Sequence, residues 1–233
     1  MDRTVPAEQL PLLLAELHHD LDVGARVEAE LEGEDLDPER LDDLWTGAGF
    51  TDLEVTGTDE GHWAVKATRA RTLPDTVGPG MHVLVCGLNP SLYAADAGVG
   101  FARPGNRFWP AAVGVGLVAH ERDPFDALTS FRVGMTDLVK RATTAAAELD
   151  EDEYRTGFDR VTRLVTWLEP EAVCFVGLAG WRATIDRKAG PGWQDETVGD
   201  RPTYLMPSTS GLNARTPLAE LTDHLRSADA LTD

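Results

Sequence analysis

The sequence predicts an α/β protein: a three-layer α/β/α arrangement around a mostly parallel central sheet, preceded by a small α+β unit. Three observations lead there. Short apolar runs at 81–85, 172–176 and 202–206 alternate with helix-like stretches, the pattern of parallel strands with helices on both faces. Pro and Gly crowd into Thr72 to Gly80, which divides the chain into residues 1–71 and 72–233. A chain of 233 residues with 42% hydrophobic content can hold one full α/β core and a small extra unit.

In chain order, residues 7–19 read as a helix because Leu10, Leu13, Leu14 and Leu17 fall at helical spacing. Val23 and Gly24 turn the chain into a half-buried strand, where Val27, Ala29 and Leu31 alternate with Arg26, Glu28 and Glu30. Asp37 is a natural N-cap and Pro38 a first helical residue, starting a helix that runs to about Ala48. Strands at 52–56 and 62–68 complete the unit. His18 and His19 are adjacent, so they do not share one helix face as a ligand pair would, and both are expected to be solvated.

The main domain opens with a buried strand at 81–85, ended by Gly87. A long loop follows, then a helix over 106–117, a short helix capped by Asp123 and Pro124, and a further element beginning at Thr136. The clearest helix is 150–168, with Tyr154, Phe158, Val161, Leu164, Val165 and Leu168 on one face. Strand 172–176, a strand-to-helix repeat at 178–188, strand 202–206 and a closing helix over 218–231 finish the chain, with no internal repeat.

Composition excludes several classes. No run of eighteen apolar residues exists and the N-terminus lacks a signal-peptide pattern, so a cytoplasmic protein without membrane association is expected. Cys86 and Cys174 sit in expected buried strands and cannot supply the four thiolates of an iron–sulfur cluster. No metal and no organic cofactor is expected. The net charge of −19, with only Lys66, Lys140 and Lys188 as lysines, suits a surface solvated in high salt and is awkward for phosphate binding. A halophilic source is one expectation from this balance; a partner other than nucleic acid is the other.

Three motifs carry chemistry. Gly87-Leu88-Asn89-Pro90-Ser91 leaves the carboxyl end of the first main-domain strand, where open α/β sheets gather their ligands. Taken alone it is also a common turn. Gly100 to Trp109 holds Phe101, Asn106, Arg107 and Phe108, and Pro207-Ser208-Thr209-Ser210-Gly211-Leu212-Asn213 follows the last strand.

With all three in order, residues 73–225 resemble the mismatch-specific uracil/thymine-DNA glycosylases of the uracil-DNA glycosylase superfamily. The spacing of twelve from Asn89 to Phe101 matches that family. Ser91 stands where glycine is usual, and Pro-Ser-Thr-Ser replaces the bacterial Pro-Asn-Pro-Ser, which is closer to the thymine-DNA glycosylase style of loop. The resemblance implies a base-excision enzyme acting as a monomer on double-stranded DNA with G·U or G·T mismatches. It implies that Asn89 positions the water, that Gly87, Leu88, Pro90, Ser91, Phe101 and Ser208 meet the extruded base, and that Phe101 stacks on it. Asn106, Arg107, Ser210, Gly211, Leu212 and Arg215 would then face DNA, with Leu212 as the wedge. Asn106 is equally suited to cap a helix, Arg107 to meet an internal carboxylate, and Phe108 and Trp109 to fill the core.

Residues 17–26 and 48–52 resemble the C-terminal part of a class I methyltransferase domain without its glycine-rich cofactor loop. An accessory unit without methyl transfer is the expectation. The alternatives are a nucleoside hydrolase, for which the Leu212 loop would be superfluous, and a non-catalytic nucleic-acid-binding module.

Overall fold

The computed structural model describes residues 2–4, 6–33, 35–57 and 61–229, the first three by backbone alone. The N-terminal elements are β1 (Asp2–Thr4), α1 (Leu10–Asp20), β2 (Arg26–Glu32), α2 (Pro38–Gly47), β3 (Phe50–Gly57) and β4 (His62–Arg69). Their sheet has the order β1-β2-β4-β3, antiparallel except for the β1–β2 pair. Strand β1 lies outside the sequence expectation. The alternation in β2 places Ala29 and Leu31 inside with Leu14, Leu41, Trp45 and Phe50, and leaves Glu28, Glu30 and Glu32 on the exposed face. Asp37 caps α2 by accepting from the Arg40 N–H at 2.8 Å, an arrangement worth about 1 kcal/mol over alanine.

The expectation for His18 is overturned. Its ring is wholly buried, edge-on to Phe50 at a centroid distance of 5.8 Å, and burial pulls its pKa down to about 3. Helical phase explains it: His18 lies four residues after Leu14 and shares its inward face, whereas His19 is exposed.

The larger part comprises β5 (Val83–Gly87), α3 (Leu92–Ala97), α4 (Phe108–Val115), α5 (Pro124–Phe131), β6 (Val133–Asp137), α6 (Glu151–Leu168), β7 (Ala172–Val176), α7 (Ala179–Thr184), β8 (Gly192–Trp193), β9 (Thr203–Met206) and α8 (Leu218–Asp229). The last two residues of the expected closing helix lie outside the described ones. Five strands form one sheet in the order β6-β5-β7-β9-β8, parallel except for β8. Alternation along β5 sends Val83 and Val85 to one face, against Phe108, Trp109, Leu221 and Leu225, and Leu84 and Cys86 to the other, against Val161, Val165 and Trp181. This is the expected three-layer arrangement. Both cysteines are free and buried.

Two features place the site. The chain leaves β5 toward β6 on one side and leaves β7 toward β9 on the other, so the sheet has its switch point between β5 and β7. Two forked ion pairs also join the N-terminal part to the larger one. Arg163 of α6 makes a forked pair with Asp43 at 2.6 and 2.8 Å, and Arg71 makes another with Asp96 of α3 at 2.7 and 2.6 Å. No described helix is long and apolar enough to cross a membrane.

Candidate active site

A cleft of about 270 Å³ opens at the switch point, walled by the loops after β5, β6 and β9 and by the end of β7. It brings together Leu88, Asn89, Pro90, Ser91, Phe101, Asn106, Ser208, Ser210 and Leu212 of the expected residues.

The loop after β5 is zipped to the loop after β6. Leu138 and Val139 donate to the carbonyls of Gly87 and Leu88 at 2.9 Å each, Thr143 donates to the Pro90 carbonyl at 3.1 Å, and Leu92 returns a bond to the Thr143 carbonyl at 3.2 Å. Asn89 lies inside this zipper. Its Nδ2 donates to the Arg141 carbonyl at 3.0 Å and to Thr143 Oγ1 at 2.8 Å. A carbonyl can only accept, so the nitrogen end of the amide must face Arg141 and the oxygen end is fixed as the free acceptor. Among the described residues no group donates to that oxygen. Ser91 has a structural role, because its Oγ accepts from the Ala94 N–H at 3.1 Å and caps α3, a helix absent from the sequence expectation.

Phe101 forms the opposite wall. It holds a left-handed backbone, φ 57°, uncommon for an aromatic residue, and its ring stacks on Phe108 at 4.2 Å and 24°. Phe108 and Trp109 are both buried, as core residues should be, and Trp109 Nε1 ties the loop down by donating to the Gly100 carbonyl at 2.8 Å. Gly87 has no room for a side chain. A Cβ there would stand 2.3 Å from Asp137 Oδ1 and 3.4 Å from the Phe101 ring.

Asp137 is absent from the residues expected on sequence grounds. It ends β6, half-buried in the cleft floor, and no hydrogen bond to its carboxyl oxygens is made by the described residues. Burial pushes its pKa up to about 6, with the Asp75 charge adding to the rise and Lys140 and Arg160 opposing it. Thr143 and Arg103 were not foreseen either. For Asp137 a signal existed: it is the polar residue closing a short apolar run, as Asn89 nearly is after β5.

The loop after β9 carries Leu212 at its tip, 83% exposed and the most exposed large apolar side chain among the described residues. Gly211 lets this loop sit against the 103–106 turn, since a Cβ on it would be 3.0 Å from the Gly105 carbonyl. Arg107 is part-buried, and its hydrogen bonds go to carbonyls rather than to a carboxylate. Its guanidinium donates to the carbonyls of Ser210 at 3.0 Å, Asn213 at 2.6 Å and Thr216, so it holds the loop from inside. Asn106 lines the cleft and braces the chain just before the N-cap of α4, where its Oδ1 accepts from the Phe108 N–H at 3.0 Å. Ser208 Oγ accepts from the Ser210 N–H at 3.3 Å, and Ser210 Oγ from the Leu212 N–H at the same distance. Arg103 and Arg215 are exposed beside the tip. No cluster of three His, Cys, Asp or Glu side chains fit for a metal ion occurs among the described residues.

Fold and site together define a three-layer α/β protein whose cleft, at the switch point of its sheet, joins a fixed amide acceptor to an aromatic platform and an exposed apolar tip. A family model described as the uracil DNA glycosylase superfamily matches residues 74–228, and the chain belongs to that superfamily.

Proposed function

We propose that this protein is a monofunctional DNA glycosylase that extrudes uracil, or thymine opposite guanine, and hydrolyses its bond to the sugar with a water placed by Asn89. The observation that carries this is the locked amide: Arg141 and Thr143 hold the nitrogen end, which leaves Oδ1 as an acceptor to which no described residue donates.

The extruded base lies on Phe101, whose other face is already covered by Phe108. The Asn89 amide orients the water without acting as a strong base, so positioning supplies most of the gain. As the C1′–N bond breaks, its electron pair leaves with the base, and the water oxygen forms the new bond to C1′. The proton released by the water passes to the Asp137 carboxylate, whose raised pKa suits a general base near neutrality. Backbone N–H groups of Ser91 and Phe101 are the proposed donors to the departing base. Leu212 fills the vacated stack, and Arg103 and Arg215 meet phosphates beside it. Gly87 serves the pocket through its missing side chain.

Glu28, Glu30 and Glu32 lie on the outer face of the four-stranded sheet and none of them lines the cleft, which suits a protein that binds DNA despite a charge of −19. Residues 1–71 are proposed to be an accessory unit without methyl transfer, and residues 72–233 the glycosylase domain. A 5′-labelled duplex with one G·U pair, incubated with the protein in high salt and then treated with alkali, tests the function. A single break at the uracil is expected; an intact strand, with free nucleosides consumed instead, overturns it.

A further inference from the structure

Beneath the cleft floor lies a buried ionic cluster that the proposed chemistry does not touch. Asp75, from the Pro- and Gly-rich segment between the two sheets, is at its centre. Its Oδ1 accepts from Thr136 Oγ1 at 2.6 Å and Lys140 Nζ at 2.8 Å, and its Oδ2 from Arg160 Nη1 at 2.6 Å. Arg160 then donates to the backbone carbonyl of Asp137 at 2.8 Å and to Thr136 Oγ1 at 3.0 Å. The side chains of Asp75 and Arg160 are each 5% exposed.

Every member of this cluster borders the working residues. Thr136 precedes Asp137, and Lys140 precedes the Arg141 carbonyl that turns the Asn89 amide. Residues 72–76 are bonded along β6 and the loop after it: Thr72 Oγ1 donates to the Lys140 carbonyl, and Thr76 and Met135 exchange backbone bonds at 2.9 and 2.8 Å. The N-terminal part seals the cluster. Gly47, at the end of α2, accepts from the Asp75 N–H at 2.8 Å, and a Cβ on Gly47 would stand 2.5 Å from Asp75 Oδ2 and 2.9 Å from Arg160 Nη1.

We propose that Asp75 is a positioning residue for base removal: by gathering Thr136, Lys140 and Arg160 under the end of β6, it fixes the placement and charge of Asp137, and the N-terminal unit contributes by covering this cluster through Gly47. The proposal rests on the glycosylase reading of the cleft.

Charge balance sets the direction of each effect. Asp137 faces Asp75 from the connecting segment, Lys140 from the loop after β6, Arg160 from α6, the uncharged Cys86 of β5, and His19 of α1 across a small cavity behind Phe101. Two cations and one anion besides Asp137 itself leave the cluster neutral when Asp137 is ionised. Neutralising Asp75 leaves both cations facing Asp137, which favours its carboxylate; neutralising Lys140 does the reverse.

The test is the pH dependence of single-turnover uracil excision by the full chain, comparing wild type, Asp137→Asn, Asp75→Asn and Lys140→Gln. Wild type should show an acid limb near pH 6 that Asp137→Asn lacks. Asp75→Asn should move the limb down by about one pH unit or more, and Lys140→Gln should move it up. Loss of packing alone lowers the plateau without opposite shifts. If Asp75→Asn does not fold, the direction of the Lys140→Gln shift decides. A wild-type limb that survives in Asp137→Asn overturns the role of Asp137, and the proposal with it. A limb that depends on Asp137 yet stays fixed in the Asp75 and Lys140 variants, or moves the same way in both, overturns the proposal alone.

Discussion

Asn89 Nδ2 donates to Thr143 Oγ1 at 2.8 Å, so a hydroxyl on one loop helps hold an amide on another loop in the orientation that the Arg141 carbonyl sets. If the hydroxyl acts in this way, Thr143→Val should lower the single-turnover excision rate by roughly ten-fold, the scale of one lost hydrogen bond of about 1 kcal/mol or slightly more. Thr143→Ser keeps the hydroxyl and should stay close to wild type. Equal losses in both variants would mean that the threonine acts through packing.

Phe101 and Phe108 make a two-ring stack, of which only the outer ring lines the cleft. Phe101→Ala is expected to weaken binding of a duplex with an abasic-site analogue only slightly and to slow uracil removal strongly. Stacking on an aromatic face is worth about 1–3 kcal/mol per base, or roughly 5- to 150-fold. Phe101→Tyr should keep most of the rate. Single-turnover rates and binding titrations on the same duplex check both.

Leu212 has 83% of its surface exposed at a loop tip that Arg107 holds from beneath. A wedge acts on the stack, so Leu212→Ala should impair a G·U duplex far more than single-stranded uracil DNA, where a few kcal/mol of unstacking is largely absent. Equal losses on both substrates would make the loop part of the pocket wall.

Asp137 connects activity to stability. Its carboxyl has a folded pKa of about 6, above the ordinary value of 3.8, so the folded state holds this proton more tightly. The contribution it makes to stability is therefore complete below about pH 4 and is lost as pH rises through 6. Asp137→Asn should melt at a higher temperature than wild type at pH 8 and at nearly the same temperature at pH 4, while excising uracil slowly at both. Melting curves at the two pH values check the sign.

Much of the large sheet was legible because β5, β7 and β9 are uninterrupted apolar runs next to glycine or proline. Strand β6 was not, since Gly134 breaks its pattern. The reason is packing: a Cβ on Gly134 would fall 2.1 Å from Met81 Sδ. Helix α3 was hidden because six residues are too few to show a helical period, and only the Ser91 cap marks its start. Asn89, Phe101 and Leu212, which line one cleft, could be named as candidates because motif spacing survives without knowledge of contacts. Arg107, His18 and Asp75 could not be placed that way: an arginine bonded to three carbonyls, a histidine buried beside Phe50 and an aspartate inside a Pro- and Gly-rich joint all look like surface residues in a bare sequence.

Covalent strand cutting would need an amine at the sugar, and none of the residues lining the cleft is a lysine. Lys140 Nζ is bonded to Asp75 with a side chain only 10% exposed, while Lys66 lies on the outer face of β4. Borohydride should therefore trap no more than traces of enzyme on uracil-containing DNA. Trapping at substantial yield would identify a Schiff base and a lyase.

The most direct test of the water-holding role is the single-turnover rate of uracil release by Asn89→Ala from a G·U duplex, measured beside its affinity for the same DNA. The rate should fall by about a hundred-fold or more while affinity stays within a few-fold of wild type, because the amide orients water and contributes little to DNA binding. A variant that releases uracil at the wild-type rate would contradict the account.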